Sequence, residues 1–150
     1  MTYTRFFVSL ENSSAKIMPV GTILMAMYGQ GVTRGRVARL SIPASTNQAC
    51  LAINSKSNLF SNDYIYYFLS SKYEELRALV QEGSQKNLSK TIIEQIFIPA
   101  LNKEEQSDLV SICQSIEEIL EKLRLKISKQ KSIRKSISLN LLKGNKRVKV

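Results

Sequence analysis

The sequence predicts an α+β protein, in which a small mixed domain is followed by one long helix that forms a coiled coil. Short stretches rich in β-branched and aromatic residues alternate with glycines in the first part of the chain. The stretch from Lys103 to Leu142 contains neither glycine nor proline, as expected of a continuous helix. Hydrophobic residues make up 43% of the 150 residues, enough for a core. We predict a first domain over residues 1–100 and a second over residues 101–150.

Four stretches of the first domain are predicted to be β-strands. Residues 5–10, 21–28 and 36–42 are rich in residues that favour strands, and a shorter strand is expected within residues 48–53. A segment with three glycines, residues 29–35, separates the second and third of these strands. A glycine-rich loop between two strands indicates a hairpin.

Helices are predicted to follow these strands. Residues 61–63 form a cluster of side chains that favour helix N-caps, and apolar residues recur at helical spacing over residues 64–80. The segment Asn87-Leu88-Ser89 is expected to cap a short helix that extends through residues 92–93. Residues 96–98 then form a last strand before the long helix.

The long helix carries a coiled-coil seam. Asn102 is placed to cap it, and acidic residues occupy its first turn, where the helix dipole favours them. Apolar residues recur with alternating spacings of four and three, although Gln130 and Arg134 interrupt the series. A lone helix cannot bury such a stripe, so we expect a partner helix. The predicted contact residues are Leu109, Ile116, Leu120, Leu123, Ile127, Ile137 and Leu141.

The charge of the chain favours an anionic partner. The net charge is +10, from 22 Lys and Arg against 12 Asp and Glu. Eleven of the basic residues lie between Lys122 and Val150, where no acid occurs. Such a balance indicates nucleic acid or an anionic surface as partner. The basic segment has three open interpretations, namely phosphate contact, a solvated coiled-coil face, or contact with an acidic partner subunit.

The composition argues against catalysis. The chain has no histidine, which excludes a serine or cysteine nucleophile activated by histidine. Cys50 and Cys113 lack metal-site spacing and are expected to be buried hydrophobic residues. We therefore predict neither a metal site nor a cofactor. The apolar runs are far shorter than a membrane span and no signal peptide is seen, so we expect a cytoplasmic protein.

The glycine-rich segment is the first candidate for contact with nucleic acid. Glycines allow close approach of the backbone, and arginines pair with guanine edges or phosphates. The alternative is a solvated hairpin. At the predicted helix start near residue 87, backbone amides attract phosphate, and the alternative there is plain capping by Asn87. The tyrosines are expected to pack in the core, and only Tyr28, beside the glycine-rich segment, is a candidate for stacking on bases. The predicted contact residues are Gln30, Thr33, Arg34, Arg36, Lys86 and Asn87.

Six segments together resemble the specificity subunit of type I restriction-modification systems. Each motif is weak alone, but their order and spacing follow the family over nearly the whole chain. They are SAKIMPVGTILMAMYGQGVTRGRVARL at 14–40, TNQA at 46–49, YIYYFL at 64–69, GSQKNLS at 83–89, IPALNKEEQ at 98–106 and LLKGNKRV at 141–148.

This resemblance implies a function. Members of the family usually hold two target-recognition domains, each followed by a long helix. The two helices pack antiparallel and fix the distance between two half-sites on DNA. Methyltransferase (modification) subunits dock on this assembly, and the restriction subunit joins later. The chain is thus expected to bind double-stranded DNA by sequence and to scaffold the modification subunits without being an enzyme itself.

Two departures from the family pattern bear on this expectation. The sequence has one recognition domain and one helix, which resembles a half-subunit that restores the whole through homodimerisation. A palindromic, bipartite target would follow from that symmetry. The recognition domain is also short at its front, and the sequence has no tryptophan. The alternative function is therefore a truncated assembly module that pairs through its helix without binding DNA.

Overall fold

The computed structural model describes residues 3–5, 8–11, 16–29, 32–55, 59–81 and 88–144. The chain divides into two compact units, Met1–Val110 and Ser111–Val150. The α+β fold and the bounds of the long helix agree with the prediction. The elements of the described residues are β1 (Tyr3–Arg5), β2 (Val8–Glu11), β3 (Ile23–Ala26), β4 (Val37–Arg39), β5 (Cys50–Ser55), α1 (Asn62–Ser71), α2 (Tyr73–Gln81), α3 (Lys90–Glu94), β6 (Phe97–Pro99) and α4 (Lys103–Leu142).

Four strands form an antiparallel sheet in the order β2-β5-β3-β4. In its centre Ile23 lies opposite Ile53, and Met25 lies opposite Leu51. All four side chains are fully buried, because alternate residues of a strand face the same side of a sheet. The other edge of β3 pairs with β4, where Ile23 lies opposite Arg39. The hairpin predicted around the glycine-rich segment is therefore confirmed.

The single strand predicted over residues 5–10 is wrong. Two strands occupy this region, and they belong to different sheets. β1 pairs with β6, where Arg5 lies opposite Phe97, whereas β2 pairs with β5, where Val8 lies opposite Ser55. Strand propensity marks residues that suit an extended chain, but it carries no information on where the chain changes partner.

The helix predicted over residues 64–80 is two helices. Its start is confirmed, since the Ser61 hydroxyl caps α1 by accepting from the Tyr64 amide at 3.1 Å. α1 ends at Ser71, and the amide of the C-cap residue Lys72 is shared between the carbonyls of Phe68 and Leu69. The Ser71 hydroxyl also donates to the Phe68 carbonyl at 2.8 Å. Serine hydroxyls that compete for helix carbonyls weaken the helix, and the break follows.

The short helix α3 is capped by Ser89, the last residue of the segment predicted to cap it. Ser89 has extended backbone angles, and its hydroxyl accepts from the Ile92 amide at 3.3 Å. Capping within residues 87–89 is therefore confirmed, with Ser89 as the N-cap, whereas Asn87 lies outside the described residues. Asparagine and serine both cap helices well, so propensity alone does not select one residue within this segment.

The first turn of α4 is capped as predicted. The Asn102 side chain accepts from the Glu105 amide at 2.9 Å, and the Glu105 carboxylate accepts from the Asn102 amide at 2.9 Å. This reciprocal pair satisfies two donors at the helix start. Both interactions are encoded locally, which is why the sequence alone indicated this terminus.

Gln106, one residue further along α4, is buried with only 2% of its surface exposed. Its amide nitrogen donates to the carbonyls of Leu59 at 2.7 Å and Leu101 at 2.9 Å. Its amide oxygen accepts from the Ser61 backbone amide at 2.9 Å. A buried side-chain amide with three partners is well satisfied, and it fastens the beginning of α4 to the segment that precedes α1.

Candidate nucleic-acid interface

The glycine-rich segment, residues 28–36, is called the glycine loop below; Gln30 and Gly31 lie outside its described part. Hydrogen bonds close its base, from the Gly35 amide to the Ala26 carbonyl at 2.9 Å and from the Ala26 amide to the Arg36 carbonyl at 3.0 Å. Gly35 has φ +81°, a left-handed conformation that glycine adopts without steric cost. The sequence of the loop thus fits the path of its backbone.

Three of the predicted contact residues lie together on the glycine loop. Thr33 and Arg36 are exposed, and Arg34 is half-buried. Tyr28, at the start of the loop, is 45% exposed. The remaining predicted contacts lie outside the described residues; they are Gln30, Lys86 and Asn87.

Arg36 is held within the loop while it stays exposed. Its Nε donates to the Val32 carbonyl at 2.8 Å. Its guanidinium carbon lies 5.3 Å from the centroid of the Tyr73 ring, within the range of a cation–π interaction. These contacts restrict the side chain and leave further donors of the guanidinium for a ligand.

Arg39, on β4, packs against the tyrosines of α1. Its guanidinium carbon lies 4.4 Å from the Tyr66 centroid and 5.6 Å from the Tyr67 centroid. It also forms an ion pair with Asp63. Burial alone would lower the pKa of Arg39, but the hydrogen bond and the charge of Asp63 outweigh it, so the pKa is raised. Arg39 is therefore a fixed positive charge.

Arg77, on α2, lies one helical turn after Tyr73. Its guanidinium carbon is 5.3 Å from the Tyr73 centroid, and Glu74 lies 3.8 Å from its Nη1. The Arg77 side chain is 22% exposed, compared with 29% for Arg39. Two half-buried arginines thus accompany the exposed Arg36.

These side chains define what we call the arginine–tyrosine face. Three of them, Arg36, Tyr66 and Tyr73, line a cavity of about 250 Å³ together with Gly35, Val37 and Ser70. Arginine presents a planar fork of donors that matches phosphates and guanine edges, and stacking on a ring reduces the mobility of that fork. The face comprises Arg36, Arg39, Arg77, Tyr66, Tyr67 and Tyr73.

Sequence reasoning predicted Arg36 but missed Arg39, Tyr73 and Arg77. A spacing of four between Tyr73 and Arg77 places them on one side of a helix, which was an available signal. No comparable signal links Arg39 to α1, because that contact joins separate elements. The expectation that most tyrosines lie in the core holds for Tyr64 and Tyr67, which are buried.

The coiled-coil seam of α4 is exposed. The side chains at the predicted positions range from 36% exposed at Leu109 to 54% exposed at Ile137. The charge on this helix is strongly divided, with six acids between Lys103 and Glu121 and no acid from Lys122 onward. The seam positions are Leu109, Ile116, Leu120, Leu123, Ile127, Ile137 and Leu141.

Two classes of site are not seen in the described part of the chain. It contains no group of three His, Cys, Asp or Glu side chains placed to hold a metal ion. None of its helices combines the length and the hydrophobicity of a membrane-spanning segment. Cys50 and Cys113 are free and half-buried, so the prediction that both are buried is wrong.

Solved structures of type I restriction-modification proteins have a similar fold. The HsdS subunit from Thermoanaerobacter tengcongensis matches with a TM-score of 0.60 and 18% identity over 75% of this chain and 26% of that chain. The S subunit from M. genitalium matches with a TM-score of 0.62 and 16% identity over 79% of this chain and 32% of that chain.

A third similar structure concerns the complex assembly and conformational transition of the type I R-M system. It matches with a TM-score of 0.66 and 16% identity over 83% of this chain and 30% of that chain. This chain therefore spans between a quarter and a third of the length of these three proteins.

The family is shown by the sequence itself. A family model described as the type I restriction modification DNA specificity domain matches residues 8–131, which is most of the chain. The match covers the glycine loop, the arginine–tyrosine face and most of α4. This chain belongs to the family of type I restriction modification DNA specificity domains.

Proposed function

We propose that this chain binds a specific sequence in double-stranded DNA through the glycine loop and the arginine–tyrosine face. Membership of a DNA specificity family supports target recognition as the role of the domain. The proposed location of the DNA-binding surface rests on Arg36, an exposed arginine that Val32 and Tyr73 hold on a loop between two strands. The chain would act as the non-catalytic specificity component of a restriction-modification enzyme.

The face offers two kinds of contact. Arg36 and Thr33 are exposed and suit the reading of base edges. Arg39 and Arg77 are more buried and held by aromatic rings, so they suit phosphate contacts that set register. Fixed phosphate contacts and exposed reading groups on one surface are the arrangement that sequence-specific DNA binding requires.

Binding to duplex DNA tests this proposal. The preferred sequence is first selected from a duplex pool with a randomised centre, and fluorescence anisotropy then compares it with a scrambled duplex. We expect Arg36→Ala to weaken binding of the preferred duplex roughly ten-fold or more, the usual loss for a base-reading arginine. Lys16→Ala removes the same charge from an exposed position before β3, outside the glycine loop and the arginine–tyrosine face, and is the matched control. Equal losses in both variants, or no sequence preference in the wild type, would contradict the proposal.

The exposed seam of α4 supports pairing with a second helix. We propose that the partner is a second copy of this chain, and that the pair scaffolds the modification subunits and, through them, the restriction subunit. Seven large apolar side chains form an exposed stripe along one helix. An apolar patch of this size is rarely left in contact with solvent. A second copy would present the same stripe, so the interface would be self-complementary.

The division of charge along α4 favours an antiparallel pair. In a parallel pair the basic halves would lie side by side, and like charges would repel. In an antiparallel pair the acidic half of each helix would lie against the basic half of the other. This argument from charge agrees with the arrangement that the family resemblance implies.

Light scattering of the full chain tests the pairing. We expect a dimer that Leu120→Asp and Ile127→Asp each convert to a monomer, since both place a charge in the seam. Ser132→Asp adds the same charge five residues after Ile127, on the opposite side of the helix, and should leave the dimer intact. A wild-type monomer would exclude the second copy as partner.

A second candidate function is an assembly module that pairs through α4 without binding DNA. The exposed seam favours it as much as it favours the first function. The two functions differ in their response to salt, because neutralisation of phosphates makes DNA binding fall steeply with salt concentration. A stable dimer with absent or salt-insensitive DNA binding would support the assembly module.

A further inference from the structure

Tyr73 connects α2 to the glycine loop across 41 positions of sequence. Its hydroxyl donates to the Val32 carbonyl at 2.6 Å. The same carbonyl oxygen accepts from Arg36 Nε at 2.8 Å. A carbonyl oxygen has two lone pairs, so these two donors use its whole capacity. Val32 is thereby held both by Tyr73 of α2 and by Arg36 at the other end of the loop.

The ring of Tyr73 contacts the loop as well. A Cβ on Gly35 would lie 3.7 Å from Tyr73 Cδ2, an ordinary van der Waals distance, so the loop backbone packs on the ring edge. The guanidinium carbons of Arg36 and Arg77 each lie 5.3 Å from the ring centroid. One side chain thus contacts a loop carbonyl, a loop glycine and two arginines.

We infer that Tyr73 is a positioning residue that holds the glycine loop and Arg36 in the conformation that reads DNA; the inference rests on the function proposed above. The loop contains glycines, which leave its backbone free to adopt many conformations. Tyr73 supplies the contact from a rigid element that restricts this freedom. Its loss should therefore reduce discrimination between DNA sequences more than it reduces attraction to DNA in general.

Tyr73→Phe tests the inference with the smallest change, because it removes the hydroxyl and keeps the ring. The full chain is titrated with the selected duplex and with its scrambled version. We expect the ratio of the two affinities to fall about three- to ten-fold, as for the loss of one hydrogen bond. Affinity for the scrambled duplex should stay unchanged, because every arginine remains. A ratio equal to that of the wild type would overturn the inference.

Tyr64→Phe is the control for a merely structural effect. The Tyr64 hydroxyl donates to the Pro99 carbonyl at 3.0 Å. This hydrogen bond lies in the core and involves no residue of the glycine loop. This variant should lower the melting temperature and leave the affinity ratio unchanged. A similar fall of the ratio in both variants would show that lost stability explains the effect, and the positioning role would be rejected.

Hydrogen exchange in the absence of DNA separates this inference from the proposed function. The Arg36 amide donates to the Thr33 carbonyl at 3.1 Å and so reports on the loop itself. We expect its exchange to become several-fold faster in Tyr73→Phe and to stay unchanged in Tyr64→Phe. Unchanged exchange in Tyr73→Phe would overturn the inference even if the wild type binds DNA. If the wild type does not discriminate between the two duplexes, the proposed function is rejected. Hydrogen exchange in Tyr73→Phe then tests by itself whether Tyr73 holds the loop.

Discussion

Thr22 is fully buried beside the sheet, and its hydroxyl oxygen has no hydrogen-bond partner among the described residues. A buried hydroxyl without a partner loses its hydration and gains nothing in return. We expect Thr22→Val, which keeps the shape of the side chain, to raise the free energy of unfolding by about 1 kcal/mol. Urea denaturation measures it, and Thr91→Val on the exposed surface of α3 should change little. A loss of stability in Thr22→Val would contradict this prediction.

Tyr64 is buried, and burial raises the pKa of its hydroxyl above the ordinary value. The folded state therefore holds the phenol proton more tightly than the unfolded state does. This contribution to stability is complete below about pH 10, the ordinary pKa of tyrosine, and is lost as pH rises through the raised pKa.

Tyr64→Phe should change this dependence on pH. We expect the variant to lose about 1 kcal/mol at neutral pH with the hydrogen bond to Pro99, and to lose stability less steeply than the wild type above about pH 10. Urea denaturation at several pH values compares the slopes. Parallel curves for the two proteins would mean that Tyr64 does not contribute to the alkaline transition.

The candidate site was predictable only where its signal is local. Arg36 follows a glycine-rich segment, a pattern visible in the sequence. Arg39 lies in the predicted strand, yet its contacts with Tyr66 and Tyr67 join β4 to α1 and arise from tertiary packing. Sequence position therefore indicated the loop but not the aromatic surface that supports it.

At the scale of elements, the long helix was predictable and the shorter elements were less so. α4 has a capping pair at Asn102 and Glu105, and no glycine interrupts it before Gly144, so its ends are defined by nearby residues. The break at Lys72 depends on how serine hydroxyls compete for helix carbonyls, which periodicity does not reveal. The change of partner between β1 and β2 is a property of the sheets and not of the residues.

An antiparallel pair of α4 helices predicts a specific contact for Cys113. If the two-fold axis passes midway between Leu109 and Leu141, Cys113 of one copy lies opposite position 137 of the other. We expect Ile137→Cys to form an intermolecular disulfide with the native Cys113 under mild oxidation, seen on a non-reducing gel. Ser132→Cys, off the seam, is the control and should not form it.

The wild type provides the opposite test of orientation. In a parallel pair in register, Cys113 of one copy would lie opposite Cys113 of the other, because equivalent residues meet across the axis. Efficient disulfide formation by the unmodified chain would therefore contradict the antiparallel arrangement. Failure of both proteins to cross-link would argue against this register.

For the whole molecule, a two-fold symmetric pair implies a two-fold symmetric target. Each copy would contribute one recognition surface, and each would carry an α4 helix of 40 residues, which is about 60 Å long. We expect selection from randomised duplexes to give an inverted repeat with one preferred spacing. Insertion of about five base pairs between the half-sites turns one half-site by about half a helical turn and should sharply weaken binding. A single, asymmetric site would contradict the paired arrangement.

The buried Gln106 has a consequence for the design of chimeras. Its side chain belongs to α4 by sequence, but its three hydrogen bonds are made with the segments at residues 59–61 and 101. In a fusion that exchanges the helix immediately after Pro99, these backbone groups would have to form hydrogen bonds with a residue of the foreign helix. The natural point of exchange for grafting a new recognition domain onto this helix therefore lies beyond Val110, where the first compact unit ends.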